Sequence, residues 1–320
     1  MNDIQPPPAA MTPLDEEFAA AVIAGLSQAQ KSLPCRYFYD ARGSELFEEI
    51  TELDEYYPTR TELAILRAHA GELAQRVAPG SVLVEFGSGS SRKTEVLLDA
   101  MPDLAAYVAI DVSDSALEGA RARLEARYPG LCVITRVGDF RMPLDLPEDL
   151  AQAPRLGFFP GSTIGNLTRE EAVGLMRDMG RSLGAGARLV IGADLRKDVA
   201  RLLAAYDDAR GVTAAFNLNL LTRINRELGA DFDLSAFAHE AFFDPDESRI
   251  EMRLVSLRAQ QVRLLGRGFS FGAQERIHTE NSHKYTVEDF EALARRAGWL
   301  PFALWRDPLH LFSVHELIAP

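Results

Sequence analysis

The sequence has little cysteine: two residues, Cys35 and Cys132, far apart along the chain. They offer neither a disulfide framework nor the ligand spacing of a zinc site, and a reducing cytoplasm is the simplest setting for them. Basic charge is also short. The 34 Lys and Arg against 47 Asp and Glu leave a net charge of −13. Nucleic-acid binding needs Lys and Arg to neutralise phosphates, so that class of partner is excluded and a small ligand is favoured. The same excess charge favours a dispersed chain, and a monomer is expected. Long apolar runs are missing: none approaches the ~18 residues needed to cross a bilayer, and no membrane partner is expected. The opening "MNDIQPPPAAMTPLDEEF" lacks the basic start and apolar core of a signal peptide. His278, His283, His310 and His315 show no metal-type spacing, so no metal is expected. No internal repeat is visible.

What is present is strand–helix alternation. Residues 1–13 read as a loose, proline-rich tail, and 14–33 carry a helical pattern. "SELFEEITEL" predicts a short helix with Ser44 as N-cap, which Pro58 then stops. Thr59 and Glu62 read as a capping box that opens a longer helix through about Val77. From residue 81, "SVLVEFG", "AYVAIDVS", "LCVITRVGDF", "RLGFFPGSTIGN" and "ARLVIGADL" are strands separated by amphipathic helices. That pattern implies a mostly parallel sheet covered on both faces. After about residue 196 the alternation stops. "SRIEMRLVSL" predicts a half-exposed antiparallel strand, with "QQVRLLG" and "RGFSF" pairing nearby. A helix in "TVEDFEALARRAGW" and a terminal hairpin, "PFALWRD" with "LHLFSVHELIA", close the chain. The expected division is an α/β domain of 61–196 with 286–320, and a smaller α+β domain of 14–60 with 197–285.

"VEFGSGSSRKT" joins the first of these strands to a helix. Gly87 and Gly89 permit a tight turn and close approach of a ligand, and the helix N-terminus favours negative charge. A dinucleotide fingerprint would place a third glycine at 92, where this chain has Arg92. Glu85, at the strand's end, would repel a pyrophosphate but suits an ammonium group. Asp111 ends the second strand, where an acid can accept both hydroxyls of a ribose. Asp139, in "VGDF", ends the third, where an acid can take an adenine amino group while Phe140 lies against the ring. These features fit S-adenosylmethionine, and the candidate contacts are Glu85, Gly87, Ser88, Gly89, Lys93, Asp111, Asp139 and Phe140. The region resembles the Rossmann-like class I methyltransferases. That resemblance implies a seven-stranded sheet whose last strand runs antiparallel.

Five further segments, "FYDARGSELFEEI", "EYYPTRTE", "FFPGSTIGN", "YDDARGVTAAFNLNLL" and "IHTENSHKYT", narrow the resemblance. Together they are similar to the histidine-specific N-alpha-methyltransferases that begin ergothioneine biosynthesis, over nearly the whole chain beyond residue 30. The resemblance implies three methylations of the α-amino group of L-histidine, through mono- and dimethyl forms, to give hercynine. It implies that Tyr56, Asn166 and Tyr206 hold the substrate carboxylate. Tyr39 would lie beside the amino group as the catalytic residue, with the Gly161 backbone nearby. Glu280 and Ser282 would bind the imidazole, and Met252 would pack on it.

The residue types suit that work. Neutral hydroxyls and an amide donate to a carboxylate, and each such bond to a charged group contributes roughly 1.5–3 kcal/mol. Glu280 and Ser282 are two apart, so in an extended segment both face the same way. A phenol of reference pKa about 10 is a poor base, so Tyr39 is expected to orient the nitrogen and, as an aromatic face, to tolerate a methylated cation. Taken singly, the same residues have plainer readings: Asn166 as a helix cap, Met252 as core, Glu280 as a solvated acid. The rival activity is the same catalyst acting on another amino acid or amine.

Overall fold

The computed structural model describes residues 13–89, 92–111, 114–138 and 146–320. Helix α1 (Pro13–Leu26) turns Phe18, Val22 and Leu26 inward and ends earlier than its pattern predicts. A Cβ on Gly25 would lie 2.0 Å from the Ser32 carbonyl oxygen, so glycine there lets the chain fold back across the helix. The returning segment, β1 (Lys31–Ser32), pairs in parallel with Ile277 and His278. Helix α2 (Ala41–Thr51) is capped by Asp40, whose carboxylate accepts from the Gly43 amide at 2.7 Å; the expected Ser44 cap lies inside the first turn instead. Helix α3 (Tyr57–Ala74) opens with Pro58 in its first turn, where a missing N–H is harmless.

The next elements alternate: β2 (Val82–Phe86), α4 (Arg92–Ala100), β3 (Ala106–Asp111), α5 (Asp114–Arg127), β4 (Cys132–Val137), β5 (Arg155–Phe159), α6 (Arg169–Leu183) and β6 (Arg188–Asp194). Two helices follow, α7 (Val199–Tyr206) and α8 (Val212–Leu228). Five strands come next: β7 (Phe237–Asp244), β8 (Arg249–Ser256), β9 (Gln260–Leu264), β10 (Arg267–Phe271) and β11 (Arg276–His283). The chain closes with α9 (Val287–Arg296), β12 (Leu300–Arg306) and β13 (Phe312–Ile318).

The larger sheet has seven strands in the order β12-β13-β6-β5-β2-β3-β4, and β13 alone runs antiparallel, between β6 and β12. Its two faces carry separate apolar cores, one holding Val84, Phe86 and Ile191, the other Leu83, Tyr107 and Phe158. The β1-β11-β8-β7 sheet packs with α1, α2, α7 and α8 on a third core that includes Phe38, Phe216, Ile250 and Ile277. The β8 strand is less exposed than its alternation predicts, because Arg249 and Arg253 both grip the Glu251 carboxylate. No described helix is long and apolar enough to cross a membrane.

Candidate active site

The carboxyl ends of β2 and β3 form one edge of the site. Gly87 and Gly89 adopt φ of +80° and +46°, a region that disfavours side chains. The Gly87 and Ser88 amides both donate to the Ile110 carbonyl, which holds the turn against β3. Asp111 Oδ2 accepts from the Gly89 amide at 3.0 Å. A Cβ on Gly89 would meet nothing within 4 Å among the described residues. Asp139 and Phe140 lie outside the described residues.

Glu85 departs from expectation. Strand alternation turns it, with Leu83, toward α4, and its Oε2 accepts from Thr94 Oγ1 at 2.6 Å and from the Tyr107 hydroxyl. It is 1% exposed, and burial pushes its carboxyl up to about 8. Glu85 Oε2 is thus engaged by α4 and β3 inside the sheet, where the sequence suggested a contact with an ammonium group. Lys93 faces the crevice side instead. Its ammonium pairs with Glu62 Oε2 at 2.5 Å, and both Glu62 oxygens accept from the Gly161 amide. Arg92, where a dinucleotide loop would have glycine, pairs with Glu52 at the surface.

The aromatic side is built by α2, the start of α3 and α8. Tyr39 meets Phe47 and Phe216 edge-on, at centroid distances of 5.6 and 5.8 Å. Tyr56 meets Phe47 at 6.3 Å and Tyr206 at 6.2 Å. The hydroxyls of Tyr39 and Tyr56 make no hydrogen bond among the described residues. Burial, then Glu280, pushes the Tyr39 phenol well above its ordinary value, and Asp111 adds to this. Tyr39 thus lies within electrostatic reach of acids on both sides of the crevice. Burial likewise raises the Tyr56 phenol, followed by Tyr206 and Glu280.

The floor comes from β8 and β11. Glu280 stands directly opposite Met252, and Ser282 opposite Ile250, so Met252 neighbours Glu280 on one face. A register shift at Thr279 sets this alignment, and the Thr279 hydroxyl donates to the Met252 carbonyl. The Glu280 carboxylate is buried and has no hydrogen bond among the described residues. Burial raises it to about 7, against the pull of Lys284. Ser282 Oγ lies 2.7 Å from the Tyr206 hydroxyl. Asn166 ends a short 3-10 turn, Thr163–Asn166, and its amide makes no hydrogen bond among the described residues; the following helix is capped by Thr168 with Glu171.

Sequence reasoning missed a buried ionic cluster behind this floor. The Tyr57 hydroxyl donates to both oxygens of Asp194, at 2.9 and 2.8 Å, and accepts from Lys197 at 2.6 Å. Lys284 donates to Asp194 Oδ2 at 2.7 Å. Tyr57, Asp194 and Lys284 are distant in sequence; Tyr57 stands in "EYYPTRTE", Asp194 in "ARLVIGADL" and Lys284 in "IHTENSHKYT", but no local pattern joins them. Glu62 was also missed, because its spacing from Thr59 imitates a capping box.

Seven strands in this order, one of them reversed, with a glycine turn after β2 and an acid ending β3, define a class I S-adenosylmethionine-dependent methyltransferase. The family model for "histidine-specific methyltransferase, SAM-dependent" matches residues 18–319, and the chain belongs to that family. A histidine N-alpha-methyltransferase of Mycolicibacterium smegmatis is 46% identical, covering 92% of each chain. One of Mycobacterium tuberculosis is 43% identical, over 89% of this chain and 90% of its own. Ergothioneine biosynthesis protein 1 of Neurospora crassa is 31% identical over 86% of this chain, which spans 32% of that longer protein.

Proposed function

We propose that the chain transfers three methyl groups to the α-amino nitrogen of L-histidine, giving hercynine and opening ergothioneine biosynthesis. The observation that carries the assignment is Glu280: a buried carboxylate without a hydrogen bond among the described residues, opposite Met252 and two residues from Ser282. Such a group calls for a polar ring as partner, since leaving it unmatched is costly. Glu280 and Ser282 hold the imidazole, and Met252 packs on its face. Tyr56, Asn166 and Tyr206 donate to the carboxylate.

S-adenosylmethionine, when bound, supplies an activated methyl group to the nitrogen lone pair. Gly87, Ser88, Gly89, Asp111, Asp139 and Phe140 hold its adenosine, and the Lys93 ammonium faces its carboxylate. The protein's part is positioning. Tyr39 stays a neutral phenol and orients the amine, with the Gly161 backbone on the other side. Each methyl gained displaces one proton, so three protons leave in all and the nitrogen's charge is unchanged at the end. The rings of Tyr39 and Tyr56, braced by Phe47 and Phe216, accept the growing cation through cation–π attraction.

We also infer that 14–60 with 197–285 form the substrate domain, and 61–196 with 286–320 the methyl-donor domain. We further infer a cytoplasmic monomer working on small molecules, without metal, nucleic acid or membrane. The exposed free thiol of Cys132 suits a reducing compartment.

The test is incubation with S-adenosylmethionine and a panel of amino acids, read by mass spectrometry. Histidine should gain one, two and three methyl groups. Glu280→Ala should lower kcat/KM for histidine about 10- to 100-fold with S-adenosylmethionine affinity retained. Methylation of tryptophan or tyrosine alone would end the substrate assignment and leave the methyl donor standing.

A further inference from the structure

Lys284, one residue past β11, is fully buried. Its ammonium reaches Asp194 Oδ2 at 2.7 Å, Tyr206 Oη at 2.9 Å and Ser282 Oγ at 2.8 Å. An ammonium has three N–H donors and no lone pair, so all three are spent and both hydroxyls must accept from it. The two hydroxyls are themselves 2.7 Å apart, so one donates to the other. Of their two protons, only one remains for a ligand.

We propose that Lys284 is a positioning residue that sets the direction of this hydroxyl pair, making Tyr206 the donor to the substrate carboxylate and Ser282 an acceptor for a ring N–H. This rests on the assignment of Tyr206 to the carboxylate and Ser282 to the ring. A carboxylate only accepts, so the Tyr206 proton goes to it. The Ser282 proton then goes to Tyr206. Ser282 accepts from Lys284, and its remaining lone pair can face only a hydrogen donor. The substrate's ring must therefore carry hydrogen on the nitrogen nearest Ser282. A bare nitrogen there meets lone pair with lone pair and is refused. Neither Ser282 nor Tyr206 could enforce this alone, because a free hydroxyl rotates to suit its partner.

The cluster is arranged so that Lys284 can be replaced without stranding a charge. Asp194 keeps Lys197 and Tyr57 as partners when Lys284 is removed. Lys284→Met preserves chain length and apolar bulk and deletes the three donors. Tyr206→Phe keeps the Lys284–Asp194 pair and frees the same Ser282 proton by deleting its acceptor.

The probes are L-histidine and the two β-thiazolylalanines, 4-yl and 5-yl. In these a ring nitrogen without hydrogen occupies one or the other imidazole nitrogen position. The readouts are kcat and KM for each, with S-adenosylhomocysteine binding by calorimetry as the measure of folding. The wild type should prefer histidine over both analogues. In Lys284→Met the preference over one isomer should shrink about tenfold and that over the other should change little, because the released hydroxyl can donate to only one position. Tyr206→Phe should shrink it for the same isomer. Histidine itself should lose mainly in KM. A ratio unchanged for both isomers in either variant that binds S-adenosylhomocysteine overturns the proposal. A wild type inactive on histidine would instead overturn the functional assignment beneath it.

Discussion

A phenol held near two carboxylates is a poor base at neutral pH, so under the proposed function Tyr39 orients the amine and does not take its proton. Burial and the charges of Glu280 and Asp111 keep its proton in place. Tyr39→Phe keeps the ring and the edge contacts with Phe47 and Phe216 and removes one neutral hydrogen bond, a loss of about 0.5–1.5 kcal/mol. The expected drop in kcat for histidine is therefore below about tenfold, whereas removal of a general base would cost roughly 100- to 10,000-fold. Steady-state kinetics on the variant separates the two. Candidates of this kind came from a family resemblance that rests on unusual, local segments. Glu62 shows the limit. Thr59–Glu62 and Thr168–Glu171 share one spacing, and only the second forms the capping box. Glu62 goes to the Gly161 amide and Lys93, partners 99 and 31 residues away in sequence, and no local pattern announces them.

At the scale of elements, periodicity predicted most of the strands and helices but not their anchors. Helix α2 carries Phe47 to the aromatic side, so its N-terminus matters to the site. Ser44 looks like the cap from the apolar spacing. Asp40 is the cap, and it is also held by Asn219 at 2.7 Å and Arg226 at 2.6 Å, both on α8. The helix start is thus set by tertiary partners, and Gly43 permits it: a Cβ there would lie 1.7 Å from the Phe38 carbonyl oxygen. Asp40→Ala should cost about 1–2 kcal/mol, and Ser44→Ala within about 0.5 kcal/mol of nothing. Denaturant melts of the two variants check this, and equal losses would restore Ser44 as the cap. The β11 register shift was similarly hidden. Two residues apart along an extended strand was enough to pair Glu280 with Ser282, but only the shift at Thr279 brings Glu280 opposite Met252.

At the scale of the whole molecule, the buried titratable groups set how stability depends on pH. His239, His278, His283 and His315 are all pushed down by burial, His315 to about 3. The unfolded chain binds more protons at these sites below about pH 6.5, so their part of the stability rises with pH up to that point. Glu85 and Glu280 act in the opposite sense. Burial raises them to about 8 and about 7, so the folded chain holds protons that the unfolded chain has already lost. Their contribution falls as pH rises from the unfolded carboxylate value through those two values. Below pH 6.5 the two sets oppose each other; above it the histidines no longer titrate and the two acids act unopposed. Near pH 8 Lys197, lowered to about 8 by burial, begins to titrate and stability gains with further rise in pH. The ligand-free protein should therefore be most stable near pH 6.5 and lose on the order of 2 kcal/mol by pH 8, a fall of a few degrees in Tm. Glu85→Gln imitates the protonated acid and cannot titrate, so it should flatten most of that fall, and it should melt higher than the wild type already at pH 6, where the unfolded chain gains from ionising Glu85 and cannot gain from ionising a glutamine. Calorimetric melts across pH 6 to 8 decide the matter: a slope that survives in Glu85→Gln would mean that this carboxyl is ionised in the folded protein, and that its bonds with Thr94 and Tyr107 are charged ones.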